Sequence, residues 1–127
     1  MARVAIVGSR NYPAPDAVRA YVRSLDDDDV VVSGGAKGVD SIAAQAARER
    51  GLEVVEHLPE YGVYGRKAPM VRNTTIVEDA DRVAAFWDLR SKGTRDSINK
   101  ALRLGRHVLI HGPDGALRDG PKSGISE

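Results

Sequence analysis

Five short apolar runs alternate with four amphipathic segments along these 127 residues, and no other feature narrows the fold as much. The runs are RVAIVGS (3–9), VVVSGG (30–35), LEVVEHLP (52–59), RVAAFWD (82–88) and HVLIHG (107–112). Each is too short for a buried helix, rich in β-branched residues and closed by a polar or glycine signal, as in a strand covered on both faces. Between them, residues 15–25 carry Val18, Tyr21, Val22 and Leu25 at helical spacing, with Pro15 suited to a first turn. A second helix is expected over Ser41–Arg50, with Ile42, Ala43, Ala46 and Ala47 inward and Gly51 as its stop. A third runs from Pro69 to about Asp79, after a loop at 60–68, and a fourth from Thr94 to Leu104, stopped by Gly105.

The order β-α-β-α-β-α-β-α-β predicts an α/β fold: a Rossmann-like three-layer sandwich with a five-stranded parallel sheet, order 3-2-1-4-5, and right-handed crossovers. One domain spans residues 1–112. Residues 113–127, with two prolines and three glycines, read as a flexible C-terminal tail.

Composition closes several functional classes. The chain has no cysteine, so disulfides and thiolate metal sites are excluded. His57, His107 and His111 form no helical pair, and the consecutive carboxylates of Asp26, Asp27, Asp28 and Asp29 point in different directions; that run reads as a solvated loop, and no metal site is expected. With 19 basic and 18 acidic residues the net charge is +1, which argues against nucleic acid or an anionic membrane as partner and requires any anion site to be local. The apolar runs are too short for a membrane span or a signal peptide, so a cytoplasmic protein without a resident cofactor is expected.

Strands of a parallel sheet end at one edge, where such folds bind ligands near the switch in strand order. Three glycine turns fall there: GSR (8–10), SGGAKG (33–38) and SKGT (91–94). Each leads toward a helix N-terminus, whose unpaired N–H groups and partial positive charge suit phosphate. Glycine lets the backbone approach a ligand, and Arg10, Lys37 and Lys92 add charge. An anion site is therefore expected at Gly8, Ser9, Arg10, Ser33, Gly34, Gly35, Lys37, Gly38, Gly93 and Thr94. No Walker A loop and no GxGxxG occurs.

VAIVGSR, VVSGGAKGVDSIAAQAA, VRNTTIVEDADRVAAFW and KGTRDSINKALRLGR together resemble the SLOG superfamily over residues 3–112. That group joins the DprA/Smf DNA-processing proteins with the LONELY GUY (LOG) phosphoribohydrolases. SGGAKGVDSIAA resembles the DprA-type signature, whereas the GSR, RN and KGT pieces are more similar to small bacterial and phage members. The resemblance implies a Rossmann-like fold, a nucleotide-type ligand (ADP-ribose, NAD or a nucleoside phosphate) and a homodimer.

The LOG-like alternative is hydrolysis of the N-glycosidic bond of a nucleoside 5′-monophosphate. Arg72-Asn73 falls where that family has Arg-Lys, Gly93-Thr94 falls on its Gly-Thr, and Asp96 lies near its acidic position. Arg72 would hold phosphate and Asp96 would stabilise positive charge building on the sugar. Three departures count against this: LRS replaces the double glycine, Asp96 is one methylene shorter than glutamate, and Asn73 replaces lysine. A DprA-like alternative is single-stranded DNA binding. Nucleotide binding ranks ahead of both. Asn73 is expected on the inward helix face with Met70, Val77 and Ala80, bonded to loop backbone or ligand. Asp40 and Ser41 read as N-caps, with Asp40 also suited to a ribose diol. Tyr61 and Tyr64 could stack on a base, with Arg66 or Lys67 near phosphate, and Trp87 reads as core.

Overall fold

The computed structural model describes residues 1–118. Its elements are β1 (Arg3–Gly8), α1 (Pro15–Arg23), β2 (Val30–Ser33), α2 (Val39–Glu49), β3 (Glu53–Glu56), α3 (Tyr61–Tyr64), α4 (Ala68–Asp79), β4 (Arg82–Phe86), α5 (Lys92–Arg103) and β5 (His107–His111). The five strands form one parallel sheet in the order β3-β2-β1-β4-β5. Architecture, strand order and helix placement agree with the sequence reading.

Side chains alternate between the faces of a strand, and the two cores divide accordingly. Val4, Ile6, Val31, Ala84 and Phe86 pack beneath α1 and α2 with Val18, Val22, Val39, Ala43 and Ala47. Ala5, Val7, Val32, Val83 and Ala85 pack beneath α4 and α5 with Ile76, Val77, Ile98 and Ala101. Trp87 lies against this second core, its indole N–H donating to the Ser91 carbonyl at 3.0 Å. The first two helices cover one face and the last two long ones the other, so the connection after β3 carries the chain back across the sheet. That reversal makes β1–β4 the switch point, and it leaves the turns after β1, β2 and β4 at one edge.

Several expectations need correction. The loop expected at 60–68 holds the short α3 and a 3-10 turn at Gly65–Lys67. The acidic run is not uniformly solvated. Asp29 is only 2% exposed. Its two carboxylate oxygens accept from Ala2 N at 3.0 Å and Asp26 N at 2.9 Å, fastening the loop to the N-terminal strand. Among the described residues Asp28 pairs with the N-terminal amine alone, at 3.4 Å. Residues 113–118, expected within the tail, turn back on β5: Arg118 N donates to Ile110 O at 2.8 Å and Gly112 N to Ala116 O at 3.0 Å. Asp114 stabilises that turn by accepting from Ala116 N. The rest of the expected tail lies outside the described residues. Among the described residues, no helix is long and apolar enough to cross a membrane.

Replacing Asp29 with alanine orphans two backbone donors and is expected to lower unfolding stability by about 2 kcal/mol. Asp28→Ala should change it by less than about 0.5 kcal/mol, since its contact is exposed. Urea denaturation of the two variants beside the parent checks both values.

Candidate functional site

Residues from all three glycine turns line one cavity of about 420 Å³ at the carboxyl edge of the sheet. Gly8 and Arg10 come from the end of β1, Gly34, Gly35 and Lys37 from the turn after β2, and Gly93 and Thr94 from the start of α5. Asp40 of α2, Arg72 and Asn73 of α4, and Ser91 and Ser97 add to the polar lining, with Tyr61, Pro59, Pro69 and Ile76 in the apolar wall. The volume lies within the usual range for small-molecule sites.

The turn after β2 is shaped by close approach. A Cβ on Gly34 would stand 2.8 Å from Arg72 Nη1 and 2.9 Å from Asp40 Oδ2. Gly38 adopts φ 86° at the start of α2, and a Cβ there would strike the Arg10 backbone. This residue does not line the cavity. It lets the turn after β1 press against the start of α2.

Other expected site residues also support rather than line the cavity. Ser9 Oγ accepts from Asp88 N at 3.1 Å and lies 3.5 Å from Thr94 Oγ1, joining the turns after β1 and β4. Ser33 Oγ accepts from Gly35 N at 3.3 Å. Asp96 lies outside the cavity lining. Its Oδ2 accepts from Asn73 Nδ2 at 3.1 Å and pairs with Lys100 Nζ at 2.9 Å. Asp96 is four residues before Lys100 on α5, and that helical spacing turns its carboxylate along the α4–α5 seam. The hydrolase alternative would need Arg72 and Asp96 in one pocket; Arg72 lines the cavity, and Asn73 stands between it and Asp96.

Arg72 is held from two sides. Its Nη1 donates to Gly34 O at 2.6 Å and its Nε to Asn73 Oδ1 at 3.1 Å. Asn73 is buried as expected, but Met70 is 55% exposed and does not share its face. The buried residues of α4 are Ala68, Asn73, Ile76 and Val77, and the Met70 side chain projects outward from between them.

Asp40 is not the cap of α2. Gly38 is, without a side-chain bond, and Asp40 follows within the first turn. Its carboxylate reaches back so that Oδ2 accepts from Ala36 N at 3.1 Å, while Ser41 Oγ donates to Ala36 O at 2.9 Å. Asp40 is 7% exposed. Burial pushes its pKa from 3.8 up to about 6, against opposing pulls from the Ala36 N–H and the Arg72 charge. Sequence reasoning missed Ser91, which lines the cavity and caps α5 by accepting from Thr94 N at 3.2 Å. Its signal was present: a serine just before a helical run is a favoured N-cap. Tyr64, in contrast, lines a neighbouring cavity beyond Arg72 with Glu56 and His57.

A parallel 3-2-1-4-5 sheet with three glycine turns gathered over one cavity defines a Rossmann-like α/β domain. Residues 2–64 match the family described as the YspA, cpYpsA-related SLOG family, in line with the resemblance to the SLOG superfamily. Among solved structures, DNA processing protein A (DprA) of Streptococcus pneumoniae superposes with a TM-score of 0.76 at 22% identity, over 98% of this chain and 53% of that one. This chain therefore spans about half the length of that relative. A DprA of Helicobacter pylori, solved for its single-stranded DNA binding mode, matches with a TM-score of 0.67 at 21% identity, over 98% of this chain and 69% of that one. The protein TM1055 matches with a TM-score of 0.64 at 23% identity, over 85% and 72%. At these identities the likeness is one of fold. No curated sequence matches significantly.

The argument from net charge against nucleic acid is overturned by these neighbours, since a protein of the same fold is described by its single-stranded DNA binding. The physical reason is that net charge averages over the surface. Here the exposed Arg10, Lys37, Arg66, Lys67, Arg90 and Lys92 lie in the loops and helix starts of the carboxyl edge, and they outnumber Glu60, Asp88 and Asp114 in the loops there. The aspartate run of residues 26–29 lies at the opposite edge, before β2.

Because the folded pKa of Asp40 exceeds the unfolded one, its favourable contribution is complete below pH 3.8 and is lost as pH rises through about 6. Denaturation across that window should show a component of about 3 kcal/mol that disappears in Asp40→Asn.

Proposed function

We propose that the protein binds a nucleotide-type ligand, of the ADP-ribose, NAD or nucleoside phosphate kind, in the cavity at the carboxyl edge. The observation that carries this reading is the convergence of the three glycine turns on one cavity. Backbone N–H groups at the starts of α2 and α5 suit phosphate oxygens. Arg10 and Lys37 supply charge at the mouth, and Arg72 supplies it within. Tyr61 offers a ring edge or face to a base.

The basic carboxyl edge favours a second source for the same phosphate chemistry, a nucleotide within single-stranded DNA. The resemblance to DprA in fold and in the SGGAKGVDSIAA signature supports it. A free nucleotide and a strand share the phosphate contact and differ in how many charges they engage. Hydrolysis of a nucleoside monophosphate receives less support, because Asp96 is engaged with Asn73 and Lys100 away from the cavity.

Thermal-shift titrations with AMP, ADP-ribose, NAD, cyclic dinucleotides and an oligothymidylate test the reading. A ligand of the cavity should raise the melting temperature, and Lys37→Ala or Arg10→Ala should each weaken its affinity about tenfold. A free nucleotide should show shallow salt dependence, whereas a strand crossing the basic edge should lose affinity steeply with salt. Incubation with AMP is expected to release no free base. No shift with any probe, on protein that unfolds cooperatively, would refute the binding site.

A further inference from the structure

The cavity combines features that oppose one another. Its cationic side chains and backbone donors would attract an anion, yet its lining includes a buried carboxyl group, Asp40. Asp40 Oδ2 already accepts from Ala36 N, one of the turn donors that a phosphate would use. Among the described residues Asp40 forms no ion pair. Arg72 of α4 acts on it through space while bonding to Gly34 O. Glu56 at the end of β3 adds a like charge, and Arg10 and Lys37 share the cavity without pairing with it.

A phosphate entering this turn meets a resident negative group a few ångströms away. Two anions sharing one buried site raise the affinity of the more basic one for a proton. Asp40 is the member prepared to take it, since it is enclosed in the cavity wall and burial, with a smaller push from Glu56, outweighs the opposing pulls and has already raised its pKa to about 6. Once neutral, the carboxyl group becomes a donor as well as an acceptor.

We propose that Asp40 takes up a proton from solvent when an anionic ligand occupies the cavity, and that the neutral carboxyl group then donates a hydrogen bond to a ligand oxygen. This rests on the nucleotide-type reading of the cavity. It assigns Asp40 the opposite role from a carboxylate gripping a ribose diol. The protonated group selects for an anionic acceptor and sets the pH range over which the ligand binds tightly.

The test uses ADP-ribose and an oligothymidylate, whose linking phosphates stay ionised throughout, unlike a monoester phosphate with its second pKa of about 6. Calorimetric titrations of the full chain at neutral pH, in two buffers of unlike ionisation enthalpy, read the protons taken up per ligand. Uptake should lie between about one half and one proton, and affinity should fall by up to about tenfold per pH unit between about pH 6 and 8. Asp40→Asn retains an acceptor for Ala36 N, and it should bind with neither uptake nor that slope. Binding by the parent protein without uptake overturns the proposal, and this measurement needs no variant. Uptake that persists undiminished in Asp40→Asn overturns it too. Failure of both probes to bind at any pH from about 5 to 8 would instead remove the ligand reading, and the proposal with it.

Discussion

The close approach between the end of β1 and the start of α2 is the contact on which the rest of this site depends. A Cβ on Gly8 would lie 2.6 Å from both the Phe86 carbonyl and Val39 Cγ2, and Gly38 presses on the Arg10 backbone. Both side-chain positions must be empty for β1, β4 and α2 to meet. Once they meet, Ser9 reaches Asp88 and Thr94, and the turns after β1 and β4 share one wall. The turn after β2 joins them because it leads directly into α2. Packing and anion-site geometry are thus consequences of the same missing side chains.

The polar groups behind the cavity form a chain of their own. Gly34 O, Arg72, Asn73, Asp96 and Lys100 are linked in sequence from the sheet edge across α4 to α5. Lys100 closes the chain on α4 through the Met70 carbonyl. Each member satisfies a neighbour that would otherwise be costly to bury. Asp96 therefore acts here as a brace for Asn73 and Arg72. Asp40, lying across Gly34 from Arg72, is the acidic group left facing the cavity among the residues that line it.

The legible part of the molecule was the part written in local pattern. Strand runs of β-branched residues, helical spacing of apolar positions and glycine stops fixed five strands, four long helices and their order, because each signal acts within a few residues. The glycine turns were legible for the same reason, and so was the burial of Asn73. Helix boundaries shifted by one or two residues, as at α5, where Ser91 caps a helix that begins at Lys92 rather than near Thr94. Met70 was misjudged because residues three apart on a helix point about 60° apart, enough at the border of the inward stripe to leave one of them exposed.

The sequence by itself determined the parallel α/β sheet, its two cores and the three glycine turns at its carboxyl edge, since periodicity and turn chemistry are local properties of the chain. Only the tertiary structure decided which carboxylate faces the cavity. Asp40 stands in the first turn of α2 and Asp96 one turn into α5, so both lie near a helix start that follows a glycine turn. Asp96 finds Asn73 and Lys100 across a helix seam, whereas Asp40 is enclosed beside the cavity, where burial rather than an ion pair governs its charge. Lys100 is within reach of Asp96 along its own helix, but Asn73, twenty-three positions away, and Arg72, thirty-two from Asp40, are brought to them by packing.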